Sequence, residues 1–212
     1  MTTNLWVNED HALAYLRERD SLPHRVDAYE ELLDLVPPSI ERVLDLGTGD
    51  GVLLDLVLTA RPGASGVGLD FGQDMLRRAA ERFSGRPVEL VQHNLDDPLP
   101  SSLGLFDAVV SSFAIHHCSP AREKVLYREV YDSLRPGGVF VNAEHVDSAT
   151  PALHEEFLAK LGRTLAEDDP SNQLVGTEQH LKWLTTCGFE NVDVFWKWRE
   201  LAVVAGETPT LV

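Results

Sequence analysis

A chain of 212 residues, 43% hydrophobic and 25% charged, holds enough apolar material for one α/β core and too little length for two comfortable ones. Its net charge of −16, from 34 acidic against 18 basic side chains, argues against nucleic acid or an anionic membrane surface as a partner. Two cysteines, Cys118 and Cys187, imply no disulfide framework and read as reduced thiols. The opening MTTNLWVNEDHALAYL lacks a basic stretch leading into an apolar one, so no signal peptide is expected. No apolar run approaches the roughly 20 residues that span a bilayer, and a cytoplasmic location is expected.

Residues 5–19 read as a short helix with Asn8 as its cap, broken by SLPH. Residues 25–36 form a better helix, because Val26, Tyr29, Leu32, Leu33 and Val36 recur at helical spacing; Pro37 and Pro38 end it. RVLDL (42–46) is a compact apolar strand, followed by a glycine-rich turn and the helix LLDLVLTA. ASGVGLD (64–70) is a second strand and QDMLRRAAERF a helix of good formers. PVELVQ (87–92) and FDAVVSS (106–112) are the third and fourth strands. A helix over 121–134 stops at Pro136-Gly137-Gly138, and VFVNAEHV (139–146) is the fifth strand. Strands apolar on both faces, alternating with helices, predict a parallel sheet covered on each side. After Thr150 the pattern changes to a helix over 152–165, a polar loop EDDPSNQ, and a helix over 177–186. Residues 189–198 and 201–205 then read as two strands joined by a short turn, hence antiparallel.

The stretch VLDLGTGDG (43–51) carries the most information. A glycine turn directly after the first strand, opening into a helix, brings backbone N–H groups up to a ligand. A dinucleotide fingerprint would need glycine at position 52, which is Val52; the third glycine is Gly51. Asp45, just before the turn, is badly placed beside a pyrophosphate and well placed beside a cation. Asp70, ending the second strand, suits a ribose diol. A nucleoside that carries positive charge satisfies both, and S-adenosyl-L-methionine (SAM) is such a molecule. Each feature alone also fits an ordinary turn or a helix cap; their order and spacing favour the cofactor.

On these motifs the sequence resembles the class I SAM-dependent methyltransferases. The resemblance runs from about residue 40 to 145 through VLDLGTGDG, GLDFGQDML, VQHNLDDPLP, FDAVVSSFAIHH and LRPGGVFVNAEHV, with GFENVDVFWKWRELAVVAG as a fitting end. More narrowly, it looks like small bacterial methyltransferases with an IHH fourth motif, and it is distantly similar to carboxy-SAM synthases. The resemblance implies a Rossmann-like fold in one domain over 1–212: a seven-stranded, mostly parallel sheet with an antiparallel last strand and helices on both faces. It implies that Gly47, Thr48 and Gly49 carry the methionine part of SAM, with Asp45 near its ammonium group. Asp70 would hold the ribose, Phe71 and Met75 would flank adenine, and Asn94 and Leu95 would meet the adenine edge. Ser111 and Phe113 would lie along the cofactor. The product would be S-adenosyl-L-homocysteine (SAH).

His116 and His117 follow the fourth strand, beyond the carboxyl ends where ligands bind in such sheets. A neutral imidazole there can take the proton that methyl transfer to a hydroxyl, thiol or amine releases. Adjacent residues point different ways, so one is expected to face the substrate; the alternative is that both only shape the pocket. His116, His117, Cys118, Glu144 and His145 are metal-donor types but lack zinc-like spacing, and no metal is expected. Glu144 and His145, ending the fifth strand, are candidates for the acceptor pocket, with a structural turn as the equal alternative. Tyr15 and Arg25 belong to residues 1–36, expected to cover the site, and residues 147–180 to an insertion lining the acceptor pocket. Trp183, Trp196 and Trp198 read as core before pocket wall.

The first expectation is therefore methyl transfer from SAM to a small-molecule acceptor, without nucleic acid or membrane, with a homodimer left open. The alternatives are a SAM-remodelling enzyme similar to carboxy-SAM synthase, a non-catalytic SAM-binding protein, and, from the fold alone, a nicotinamide dehydrogenase.

Overall fold

The run Val43–Leu46 has no polar side chain except Asp45, and it forms the centre of the sheet. In the computed structural model, which describes residues 22–210, strand β1 spans Arg42–Leu46 and pairs in parallel with β2 (Ser65–Asp70) on one side and β4 (Phe106–Ser112) on the other. Strand β3 (Val88–Gln92) flanks β2, and β5 (Leu134–His145) flanks β4. The last strands, β6 (Glu190–Trp198) and β7 (Leu201–Glu207), complete seven in the order β3-β2-β1-β4-β5-β7-β6, with β7 running against both neighbours. The chain reverses its winding between β1 and β4, which opens a crevice at the carboxyl ends of those two strands.

Helices α1 (Arg25–Leu35), α2 (Val52–Ala60) and α3 (Gln73–Arg82) cover one face. Leu32, Leu54, Val57 and Ala79 pack there against Val43, Val110 and Val203. On the other face α4 (Pro120–Ser133) and α6 (Thr177–Cys187) set Leu126, Val130 and Leu184 against Leu44, Val109 and Phe140. Ser119 caps α4 by accepting from Arg122 N–H, and Pro120 stands in the first turn, where its missing N–H costs nothing. Trp196 and Trp198 pack with Phe113, Phe157 and Leu201, and Trp183 packs against the second core; all three tryptophans serve the interior.

Two boundaries differ from expectation by more than two residues. Strand β5 starts at Leu134, because Leu134 pairs with Phe106 and the Pro-Gly-Gly segment is stitched to Thr208. The helix expected over 152–165 is α5, Pro151–Lys160. It ends at Gly162 (φ +72°), with Gly162 N–H donating to Ala159 and Arg163 N–H to Leu158, a Schellman closure. The expected helix over 5–19 lies outside the described residues. No helix among them is long and apolar enough to cross a membrane.

Candidate functional site

Gly47, Gly49 and Gly51 all have positive φ, which lets the chain turn sharply from β1 into α2. At Gly47 the requirement is absolute in space as well: an added Cβ would lie 2.3 Å from the Ala114 Cβ, where the turn after β1 crosses the turn after β4. Thr48 N–H donates to Leu69 carbonyl (2.8 Å), tying the turn to β2. Asp70 completes the knot, since its Oδ2 accepts from Gly49 N–H (2.9 Å) and its Oδ1 from Gly72 N–H (2.8 Å). Each carboxylate oxygen keeps a lone pair for hydroxyls. Burial raises the Asp70 carboxyl above its usual range, although the backbone donors of Gly72 and Gly49 oppose this.

Asp45 is fully buried under this turn. Thr48 Oγ1–H donates to its Oδ2 (2.7 Å), and its Oδ1 has no hydrogen-bond partner. Burial pushes its pKa up to about 7; the Thr48 hydrogen bond opposes and the nearby Asp70 adds to the rise. An orphaned buried carboxylate oxygen beside a glycine cradle is a place for a cationic group, and the ammonium of SAM has that character. The residues present therefore fit the cofactor.

Gly47, Gly49, Asp70, Phe71 and Met75 line the cleft together with Asn94 and Leu95. The loop carrying these last two is held by Arg122, which donates to the Leu95 and Asp97 carbonyls and pairs with Glu129 through two nitrogens. Asn94 Oδ1 already accepts from Asp96 N–H (3.1 Å), and Asp96 also lines the cleft, an acid that the sequence reading passed over. Ser112, Phe113 and His117 form the opposite wall. Phe113 holds φ +51°, strain of about 1–2 kcal/mol in a non-glycine residue.

Several candidates lie elsewhere. Ser111 is fully buried and donates to the Leu46 carbonyl (2.8 Å), so Ser112 takes the cleft position expected of it. Thr48 is buried and supports Asp45 from below. Arg25 stands behind Phe113: its Nε donates to Tyr29 Oη (2.9 Å), its guanidinium lies 5.7 Å from the Phe113 ring centre, and Tyr29 Oη meets Ser112 Oγ at 2.8 Å. Tyr15 lies outside the described residues, and the described part of 1–36 places Ala28 and Leu32 in the core. Glu144 is fully buried and is not in the cleft wall. His145 turns to Glu200 (Nε2 to Oε2 3.0 Å), which also meets Ser148 and His154.

The two histidines sit in a 3-10 turn, Ile115–His117, with ring centres 4.0 Å apart. His116 is buried, with Nδ1 2.5 Å from Glu144 Oε1; His117 lines the cleft. Behind Glu144 a buried polar chain continues through Asn142 (Nδ2 to Oε2, 3.0 Å) towards Tyr127, whose Oη lies 2.7 Å from His180 Nδ1. Burial lowers His117 to about 3, helped by the neighbouring His116 and opposed by Asp169, so the ring is neutral at physiological pH. Cys118, pushed up to about 12 by burial, stays a thiol. The polar loop after α5 reaches over both histidines: Gln173 N–H donates to the His116 carbonyl (2.9 Å) and Gln173 Nε2–H to the His117 carbonyl (3.0 Å). Among the described residues no group of three or more His, Cys, Asp or Glu is arranged to hold a metal ion.

A doubly wound sheet, a glycine turn at its switch point, an acid after β2 and an orphaned acid under the turn define a class I methyltransferase domain whose cofactor is SAM. Residues 43–138 match the family model described as "Methyltransferase domain". The chain is 21% identical over 206 residues to a carboxy-S-adenosyl-L-methionine synthase of Nautilia profundicola, covering 86% of this chain and 87% of that one. It is 33% identical over 126 residues to an uncharacterized methyltransferase of Mycobacterium bovis, covering 59% and 60%. The fold also matches human N-acetylserotonin methyltransferase in complex with SAM, with a TM-score of 0.69, 17% identity, and 97% of this chain against 58% of that one. The chain thus spans about three fifths of the mycobacterial and human proteins.

Proposed function

We propose that this protein transfers a methyl group from SAM to a small-molecule acceptor bound in the cleft beside His117. The observation that carries this is one wall of the cleft: the SAM-type cradle of Gly47, Gly49 and Asp70 opens directly onto the neutral imidazole of His117. SAM supplies an already activated methyl group, so the protein's task is alignment and proton management. Asp45 takes the ammonium end, Asp70 the ribose hydroxyls, and Phe71 and Met75 the adenine faces. His117 accepts the acceptor's hydrogen bond and takes its proton late, once methylation of an oxygen has made that proton acidic enough for a ring lowered to about 3. Uptake of that proton as the sulfonium charge is lost leaves the cleft's net charge unchanged. The acidic surface average disfavours a polyanionic acceptor.

The test is calorimetric titration of the purified protein with SAH and with NAD, followed by a small-molecule acceptor screen read out as SAH release. Micromolar SAH binding without NAD binding, and SAH release dependent on one acceptor class, supports the reading. A folded sample that binds neither would overturn it. A second reading, remodelling of SAM itself, draws on the near full-length similarity to a carboxy-SAM synthase. Mass spectrometry of copurified ligand separates the two, because a carboxylated SAM derivative would favour the second.

A further inference from the structure

The loop of residues 168–173 belongs to the insertion between β5 and α6, 50 residues beyond the histidines in sequence, yet it meets the ring of His117. Ser171 Oγ lies 3.1 Å from His117 Nδ1 and 2.7 Å from Asp169 Oδ1, and Ser171 N–H donates to the same Oδ1 (2.8 Å). The serine hydroxyl has a single proton, and an ionised carboxylate can only accept. At 2.7 Å the hydroxyl proton therefore lies on the Asp169 side, and Oγ turns a lone pair towards His117. The contact at Nδ1 then requires the imidazole to donate. We infer that Asp169 and Ser171, whose backbone also bonds His117, are positioning residues that hold His117 as the Nδ1–H tautomer, which leaves Nε2 as the unprotonated nitrogen of the neutral ring.

Free histidine in water prefers the proton on Nε2, so the loop imposes the minority form. The loop itself is built to hold this geometry. Asp169 N–H donates to Asp168 Oδ1 (3.0 Å), Asn172 N–H to the Asp169 carbonyl (3.1 Å), and the two Gln173 bonds fix its far end to the histidine backbone. His116, whose ring is tilted 46° against that of His117, is held by Glu144, so the two rings have separate anchors.

The inference rests on the reading of this cleft as the site of methyl transfer, but its first test does not. Nitrogen-15 histidine labelling of the whole protein, with His117 assigned by its loss in His117→Gln, reports the tautomer directly at neutral pH. Expected for the unaltered protein is a protonated Nδ1 and an unprotonated Nε2 at His117. Ser171→Ala should return the ring towards Nε2–H, and Ser171→Thr, which keeps the hydroxyl, should restore the original pattern. With an acceptor in hand, Ser171→Ala should lower kcat by about 10- to 100-fold at nearly constant KM and constant SAH affinity. A proton on Nε2 in the unaltered protein, or an unchanged pattern in Ser171→Ala, would overturn the inference. Absence of SAH binding would sink the methyl-transfer reading and leave the tautomer result standing on its own.

Discussion

His116 Nδ1 and Glu144 Oε1 meet at 2.5 Å inside the protein, with Glu144 at 0% exposure and the His116 side chain at 7%. Burial moves the two in opposite directions, Glu144 upward and His116 downward. Glu144 also accepts from Asn142 Nδ2–H and His145 N–H (2.9 Å), both in β5 like itself, so it ties the histidine turn to that strand beneath the cleft. Removing its acceptors strands several buried donors at once. Glu144→Ala should cost about 3–5 kcal/mol of unfolding free energy, and Glu144→Gln, which keeps a carbonyl oxygen, about 1–2. Urea unfolding of the two variants checks the ordering; equal losses would contradict it.

Asp45 makes both stability and cofactor binding depend on pH. Its folded pKa of about 7 lies above the ordinary carboxyl value of 3.8, so between those values the folded state binds more protons than the unfolded one. Ligand-free stability should therefore fall as pH rises through this window, by at most about 1.4 kcal/mol per pH unit from this group. A ligand ammonium favours the ionised form, so SAH affinity should rise with pH up to about 7 and then level off. Calorimetry from pH 5.5 to 8.5 tests this, and Asp45→Asn should flatten both slopes.

Gly47 and Gly49 separate crowding from conformation. Gly47→Ala forces a Cβ into Ala114 and holds φ at +70°, whereas Gly49→Ala at φ +55° meets nothing within 4 Å. The first should destabilise the fold by about 2–4 kcal/mol and abolish SAH binding. The second should cost only about 1–2 kcal/mol of stability. If Gly49 passes close to the ligand, its alanine variant should still lose SAH affinity at least tenfold. Thermal unfolding and calorimetry on both give the comparison.

Asp70→Asn should weaken SAH binding about 10- to 100-fold while the fold survives, since one oxygen still accepts from a glycine N–H. Asp70→Ala frees both loops and should lower stability by about 2 kcal/mol as well. The same stability for both variants would mean that Asp70 acts on the ligand alone.

His117→Gln should reduce turnover by about 10²- to 10⁴-fold with SAH affinity unchanged. With the ring lowered to about 3, the pH profile of kcat/KM should show no limb from His117 between pH 5 and 8; a limb near 7 would belong to Asp45. Unchanged turnover would remove His117 from the proton path.

The sheet was legible because each strand is an apolar run bounded by glycine, proline or an acid; the fourth strand's bounds of 106–112 match the structure. The positions of the glycine turn and of Asp70 were legible for the same reason: they sit at strand ends. The misplacements have local causes. Ser111 and Ser112 are indistinguishable as letters, and only the pairing of Ser111 with Leu46 and Asn142 shows which one is turned inward. Glu144 reads as a rim residue until β7 is known to pair beside it and bury it. Ser171 and Asp169 sit in a stretch whose composition is that of a solvated turn. No periodicity or motif connects them to a histidine 54 residues away.

The clamp from Gln173 and Ser171 onto the histidine turn divides the cleft between two tracts of the gene. One tract, running from the first strand to the fourth, carries the groups assigned to the cofactor. The other, after the fifth strand, supplies what touches the base. Under the proposed function, mutations in the second tract should alter turnover without disturbing the cradle in the first. On the proposed reading, replacing residues 165–175 as one unit should change turnover while SAH affinity stays constant.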